Sequence, residues 1–523
     1  MKKIMAHRDI NNGAALRPGT RFARDRAPSS PERYALASSP RATSFRAASR
    51  AARRRAAGLA SIAALCLASS ACGDSSEPGA TEAGTSSGDD VSAGGSTATS
   101  SGDVGGSSTG GASDGATSST GADVCPEGPV EVVQGFLATP GETGLVPLGP
   151  CEARHRWYFA APAGSVLELA LTGHEGVAVE AVVGFPDTPA LEPVVDGDTL
   201  AGPIASAGGD VATLQLVAPR SGEFAVQLAA AEDGAGAQYE LALACVRGCA
   251  LETTRFPIVL AHGWTGFANI GPVDYFYGVP DHLGARGYPV SVTEVDKYNT
   301  SYARAEQLAA QLDALLPSWR ARKVNLIGHS QGGVDARALI SARGYGDRVS
   351  ALITVGTPHR GSYAVDVALG YAPGPSQEVL FLLFDFLGAV TADEQADVEA
   401  SLHGLSEAYM TNEFNPHNPD DPRVEYISYT GRSCAPDEFL NPQNDCEDLV
   451  DPIWALTYGI LRAAQGDNDG LVTVESAKWG EFRGLMIADH LDEVGQLLGA
   501  TDPAFDHLEF YLARARELAE GSH

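Results

Sequence analysis

The chain has 523 residues, 44% of them hydrophobic, and a formal net charge of −30. It is long enough for two or three domains that each bury a core. Residues 1–71 carry 14 Lys and Arg against 3 Asp and Glu, a net of +11 that leaves −41 on the remainder. An acidic body of that kind repels phosphate backbones and anionic membrane surfaces, which argues against nucleic acid as a partner.

A basic leader opens the chain. Its one long apolar run, AAGLASIAALCLASSAC at residues 56–72, follows RAASRAARRR. It is too short and too rich in Ala and Ser for a transmembrane span, and it reads as a signal peptide. Ser-Ser-Ala before Cys72 resembles a bacterial lipoprotein processing site, at which the cysteine is diacylated and becomes the new N-terminus. Ser69 stands where Leu is usual, so ordinary secretory cleavage nearby is the alternative. Either route implies an exported protein, and lipidation of Cys72 implies membrane anchoring.

Residues 73–124 are almost entirely Gly, Ser, Thr, Ala, Asp and Glu. They cannot bury enough apolar surface to offset ordering entropy and are expected to form a disordered linker. From 125 to 250 the texture changes to short alternating runs (RWYFAAP, SVLELALTG, VAVEAVVGF, ATLQLVAP, GEFAVQLAA, QYELALAC) punctuated by Gly, Pro and Asp. That pattern predicts an all-β sandwich. Its strand texture and one SGxF turn resemble the prepeptidase C-terminal type of sandwich, which implies a spacer or substrate-adhesion module.

With Cys66 removed and Cys72 lipidated, six cysteines remain, an even number in each region, as suits disulfides in an exported protein. Cys434 and Cys446 have no other cysteine in their region and are expected to pair. Cys125, Cys151, Cys245 and Cys249 allow three connectivities.

From 251 to 523 strands alternate with helices. FPIVLAHG, YPVSVTEV, KVNLIGH, VSALITVGTP and RVEYISYTG are of strand length and rich in Val and Ile, and SYARAEQLAAQLDALLPSWRA and GGVDARALISARG carry helical spacing. Such alternation predicts a mostly parallel sheet with helices on both faces. PAFDHLEFYLARAREL closes the chain as an amphipathic helix opened by Pro503.

G-x-S-x-G occurs four times, around Ser86, Ser108, Ser113 and Ser330. The first three lie in the Gly/Ser linker. Only Ser330 has a strand (KVNLI) before it and a helix (GGVDARALI) after it, the context of a nucleophile elbow. There the helix N-terminus faces a developing oxyanion, and Gly328 and Gly332 admit the tight turn. A serine nucleophile needs a histidine base oriented by a carboxylate, and in an α/β-hydrolase both follow it, acid before histidine. Asp467 and Asp469 are both acid candidates, and His490 and His507 are both base candidates; spacing leaves the choice open.

PIVLAHGWTGFANI, VDYFYGVPDHL, VTEV, VNLIGHSQGG, VGTPHRGS, NDGLV and DHLDEVGQLLG resemble, in order, the blocks of the Pseudomonas/Burkholderia-type bacterial triacylglycerol lipases across most of residues 255–518. The resemblance implies an α/β-hydrolase fold with Ser330 as nucleophile, Asp469 as acid and His490 as base. It implies an oxyanion hole from the backbone N–H groups of Trp264 and Gln331, and a lipid ester substrate met at a lipid–water interface. It further implies one structural Ca²⁺ held by Asp451, Asp492, Gln496 and the carbonyl of Ala500, a set of hard oxygens. The apolar stretch EVLFLLFDFLGAV, inside an insertion at about residues 362–420, is expected to act as a lid, a buried helix being the alternative. Two other readings remain: a carboxylesterase for short soluble esters, and a non-catalytic surface binding lipoprotein.

Overall fold

The structure is a computed structural model that describes residues 131–148, 154–264 except 175, 190, 192–197, 231–236 and 251, then 269–270, 273–379, 392–439 and 448–523. The leader, Cys72, the linker, Cys125, Cys151, Cys446 and most of the expected lid stretch lie outside the described residues.

Ten strands precede the hydrolase region: β1 (Glu131–Phe136), β2 (Gly141–Glu142), β3 (Val146–Pro147), β4 (Arg154–Ala161), β5 (Val166–His174), β6 (Val179–Gly184), β7 (Thr199–Ser206), β8 (Val211–Val217), β9 (Gly222–Ala230) and β10 (Gln238–Arg247). One sheet has the order β1-β4-β9-β6-β7 and the other β2-β10-β5-β8, with β3 also on β10. Alternate residues of each strand point inward, so Leu167, Leu169 and Leu171 of β5 and Leu241 and Leu243 of β10 meet Phe159, Phe224, Val226 and Leu228 of the facing sheet. The expected sandwich is present, with β1, β2, β3 and β7 added to the six strands read from sequence. Cys245 and Cys249 are bridged, their Cα atoms 6.3 Å apart. Cys434 is also disulfide-bonded.

The second region contains β11 (Ile258–Ala261), a hairpin of β12 (Asn269–Ile270) and β13 (Val273–Asp274), α1 (Val279–Gly284), β14 (Val290–Thr293), α2 (Ser301–Ser318), β15 (Val324–His329), α3 (Gln331–Ala342), β16 (Val349–Val355), α4 (Ala392–Gly404), β17 (Glu425–Gly431), α5 (Ala455–Ala464), β18 (Glu481–Met486) and α6 (His507–Glu520). Six strands form one sheet in the order β14-β11-β15-β16-β17-β18, parallel throughout. Both faces are covered, and the pleat distributes the strand residues between two cores. Val259, Val324, Leu326 and Leu352 pack with α2 and α3, while Ile258, Leu260, Ile327 and Ile353 pack with α1 and α6.

Two sequence expectations need correction. Helix α6 does not open at Pro503: Asp506 is its N-cap, and its carboxylate accepts from the N–H groups of Leu508 and Glu509. Strand β18, EFRGLM, escaped notice because it lies at the sheet edge and is mostly half-buried, so it lacks the continuous apolar run of its neighbours.

The chain leaves β11 toward β14 on one side and returns to β15 on the other. The C-terminal ends of β11 and β15 therefore flank the crevice at which open α/β sheets bind ligands.

Candidate active site

Ser330 follows β15 directly and caps α3 with φ 54° and ψ −130°. This backbone is strained for any residue with a Cβ, by roughly 1–3 kcal/mol, and the close packing around it must hold it there. Glycine is required on both sides. A Cβ on Gly328 would lie 2.7 Å from Gly333 Cα, and one on Gly332 would lie 2.3 Å from the carbonyl oxygen of Ala261.

His490 Nε2 lies 2.9 Å from Ser330 Oγ, and its Nδ1 lies 2.8 Å from Asp469 Oδ2. The other oxygen of Asp469 accepts from the N–H groups of Leu471 and Val472 at 2.8 and 2.7 Å. The backbone of His490 donates to the Asp469 carbonyl at 2.9 Å. The acid is thus held by its own turn, fully buried, and presents one free edge to the imidazole. Three side chains 21 and 160 residues apart in sequence meet in the order nucleophile, base, acid.

The rival candidates lie elsewhere. Asp467 is half-exposed and pairs with Arg462 at 2.6 Å. His507 Nε2 is engaged by the carbonyl of Tyr277 at 2.9 Å.

The two expected oxyanion residues lie beside the nucleophile. Ala261 is in register with Gly328, and a Cβ on Gly263 would come within 2.6 Å of Ser330 Cβ, so the turn carrying Trp264 closes on the elbow. The Trp264 ring is buried and meets Tyr298 edge-on at 6.1 Å. Gln331 is the first residue of α3; its carboxamide nitrogen donates to the Asn299 carbonyl at 2.9 Å, and Ser401 Oγ of α4 donates to its oxygen at 3.4 Å.

Several contributors escaped the sequence reading. Arg304 is fully buried and donates to the carbonyls of His262 and Gly263 at 2.8 and 3.1 Å, with Nε on Asp335 at 2.7 Å. Its signal was available: it lies four residues before Leu308 on the apolar stripe of α2, where a charge requires a buried partner. His262 is held neutral, down to about 3, because burial and then Arg304 disfavour its charged form. The Val295 N–H donates to its Nε2, so its Nδ1 carries the proton and donates to the Gly263 oxygen.

Behind the base lies a buried chain of polar groups. Tyr275 Oη is 2.7 Å from His329 Nδ1, and His329 Nε2 is 2.9 Å from Glu493, whose other oxygen accepts from the Gly431 N–H. Burial first, and then the Asp469 charge, push Glu493 well above the usual carboxylate range. Burial and the neighbouring His490 hold His329 well below its ordinary value. Both shifts favour the uncharged forms, and the rings of His329 and His490 lie 4.6 Å apart.

The carboxylates of Asp451, Asp489 and Asp492 gather with oxygens within 4.8 Å of one another, all buried. Three buried acids so close repel one another unless a cation or protons intervene, and hard oxygens are the donors that Ca²⁺ takes. The cluster therefore fits the expected ion. It brings Asp451 and Asp492 together as expected and adds Asp489. Gln496 follows the short helix Asp492–Val494, and Ala500 lies four residues further.

Several known proteins are similar to this chain. The model of the palmitoyl protein thioesterase family matches residues 257–404. A triacylglycerol lipase of Vibrio cholerae is 34% identical over 278 residues, covering 48% of this chain and 84% of the relative. A triacylglycerol lipase of Burkholderia plantarii is 28% identical over 330 residues, covering 54% and 91%. Among solved structures, the mature Bacillus licheniformis lipase BlEst2 aligns at 19% identity and TM-score 0.38, covering 50% of this chain and 91% of that one. This chain, a hydrolase of lipid esters built on an α/β-hydrolase sheet, belongs to the triacylglycerol lipase family.

Proposed function

We propose that Ser330 attacks the carbonyl carbon of a triacylglycerol ester while His490 Nε2 takes its proton. Asp469 holds the imidazole in the Nδ1–H tautomer and stabilises the cation that forms. The backbone N–H groups of Trp264 and Gln331 receive the developing oxyanion, as the helix dipole of α3 favours. Protonated His490 then delivers its proton to the leaving alcohol, and an acyl ester remains on Ser330. Water, activated by the same imidazole, releases the fatty acid.

The observation that carries this reading is the pair of contacts at His490, 2.9 Å to Ser330 and 2.8 Å to Asp469. The test is Ser330→Ala. Hydrolysis of p-nitrophenyl butyrate and tributyrin should disappear while the melting temperature stays within a few degrees; retained hydrolysis would refute the assignment.

Asp451, Asp489, Asp492, Gln496 and the Ala500 carbonyl are the proposed Ca²⁺ site. When bound there, the ion would supply fixed positive charge that neutralises the three acids beside the His490 turn. Asp489 also accepts from the N–H groups of Leu491 and Asp492, so the same residues shape the turn that presents the base. Export, with lipidation at Cys72, completes the proposal and would place the enzyme at the cell envelope or outside the cell.

A further inference from the structure

The sandwich meets the hydrolase region through charged groups that the activity does not require. Glu223, at the start of β9, is 1% exposed in its side chain. Its Oε1 accepts from Arg255 Nε at 2.5 Å and from Arg322 Nη2 at 3.0 Å, and its Oε2 from Arg322 Nε at 3.0 Å. Arg320 donates through Nε to both oxygens of Asp187, at 2.9 and 2.7 Å, through Nη2 to Thr188 at 2.9 Å, and pairs with Asp198 at 2.9 Å. Arg220 of the sandwich donates to the Arg320 carbonyl at 3.0 Å. Aromatic rings of the sandwich back the guanidiniums: Arg322 lies 3.8 Å over Tyr158, Arg320 4.3 Å over Phe185, and Arg255 4.7 Å over Phe136.

This is not a chance surface meeting. The Arg322–Glu223 pair is bidentate on a buried carboxylate and stacked on an aromatic face, the geometry in which arginine binds most specifically. The position in the fold is equally specific. Arg255 precedes β11, and Arg320 and Arg322 precede β15, so the contact lies at the N-terminal ends of two adjacent strands. Ser330 follows the C-terminal end of β15. Six residues of strand, about 20 Å at 3.3 Å each, separate the clamp from the nucleophile.

We propose that the β-sandwich is a fixed pedestal for the catalytic sheet. It unfolds with the sheet as one unit and takes no part in capturing substrate. A substrate-adhesion arm needs freedom to move or a surface beside the catalytic opening; this domain is clamped at the opposite end of the strands.

Calorimetry and kinetics on the full exported chain test the proposal. The wild type should melt in a single transition. Glu223→Gln, which leaves Arg255 and Arg322 without their buried counter-charge, should lower the melting temperature by about 5 °C or more. At 20 °C its kcat and KM on p-nitrophenyl butyrate and on emulsified tributyrin should stay within about twofold of wild type, the clamp being remote from the chemistry. Should Glu223→Gln fail to fold, Asp187→Asn with Asp198→Asn weakens the more exposed half and should lower melting by about 1–4 °C, with the same kinetics. Two separate transitions in the wild type would overturn the proposal. So would a variant that melts as wild type, or one that raises KM for the emulsion alone.

Discussion

The Arg304 guanidinium donates to the carbonyl oxygen of Gly263 at 3.1 Å, across 41 residues of sequence. The Gly263–Trp264 peptide is planar and trans, so its oxygen and its N–H point in opposite directions. Pinning the oxygen with Arg304 therefore fixes the direction of the Trp264 N–H, opposite to it. His262 Nδ1 donates to the same oxygen at 2.9 Å, so two side chains orient one peptide.

Arg304→Lys keeps a cation beside Asp335 but loses the fork that reaches both carbonyls. Losing an oxyanion donor outright costs roughly 10²–10³ in kcat, and a misdirected one should cost about tenfold to a hundredfold. KM for p-nitrophenyl butyrate should change by less than about threefold, because the interaction matters mainly in the transition state. Steady-state kinetics of the folded variant decide this; an unchanged kcat would show that the loop holds its shape without Arg304.

The Gln331 carboxamide ties the nucleophile elbow to Asn299 and, through Ser401, to α4. Gln331→Ala should lower kcat by roughly three- to tenfold, and Ser401→Ala by less. The double variant should fall short of the product of the two, since contacting residues couple by about 0.5 kcal/mol or more. A double-mutant cycle on kcat measures the coupling, and strict additivity would assign Ser401 no part in holding the elbow.

His262 supplies a pH dependence of known sign. Its pKa falls to about 3 in the folded protein through burial and the Arg304 charge. The unfolded chain, near 6.5, takes up the proton first as pH falls. The contribution to stability is therefore full above about pH 6.5 and is lost progressively toward pH 3, at about 1.4 kcal/mol per pH unit. His262→Gln should show a shallower loss in urea unfolding between pH 6.5 and 4.5 and no such difference above pH 7. An equal acid slope in both proteins would mean that His262 is not held neutral.

Calcium should stabilise the folded chain through Asp451, Asp489 and Asp492. At a hundred times its dissociation constant, a ligand specific for the folded state adds about 2.7 kcal/mol, which several degrees of melting shift would register. Asp492→Asn should remove that shift. Because the variant also relieves repulsion among buried acids, its melting temperature without Ca²⁺ should be no lower than wild type. Melting curves with chelator and with added Ca²⁺ distinguish these outcomes, and an equal Ca²⁺ response in the variant would refute the site.

Much of the catalytic centre was legible because its signals are local. A strand, G-x-S-x-G and a helix in succession identify Ser330, since the elbow is a property of one short run of consecutive residues and their periodicity. Alternation of period two likewise announced the sandwich, and alternating strands and helices announced the parallel sheet. The matched lipase blocks carried the choice of Asp469 and His490, which spacing alone left open against Asp467 and His507.

Tertiary structure decided what depends on approach between distant segments. Asp469 is the acid that faces His490 because its own turn consumes its other oxygen, whereas Asp467 turns outward to Arg462. Glu493, Tyr275 and Asp489 carried no local mark, since a buried acid or phenol is written in sequence like an exposed one. The clamp is the extreme case: Glu223 and Arg322 are 99 residues apart in different domains. Sequence by itself determined most of the longer strands and where the nucleophile sits, because short-range periodicity and backbone sterics act within a few residues. Which charges meet was settled only when packing of the two regions brought the starts of β9, β11 and β15 together.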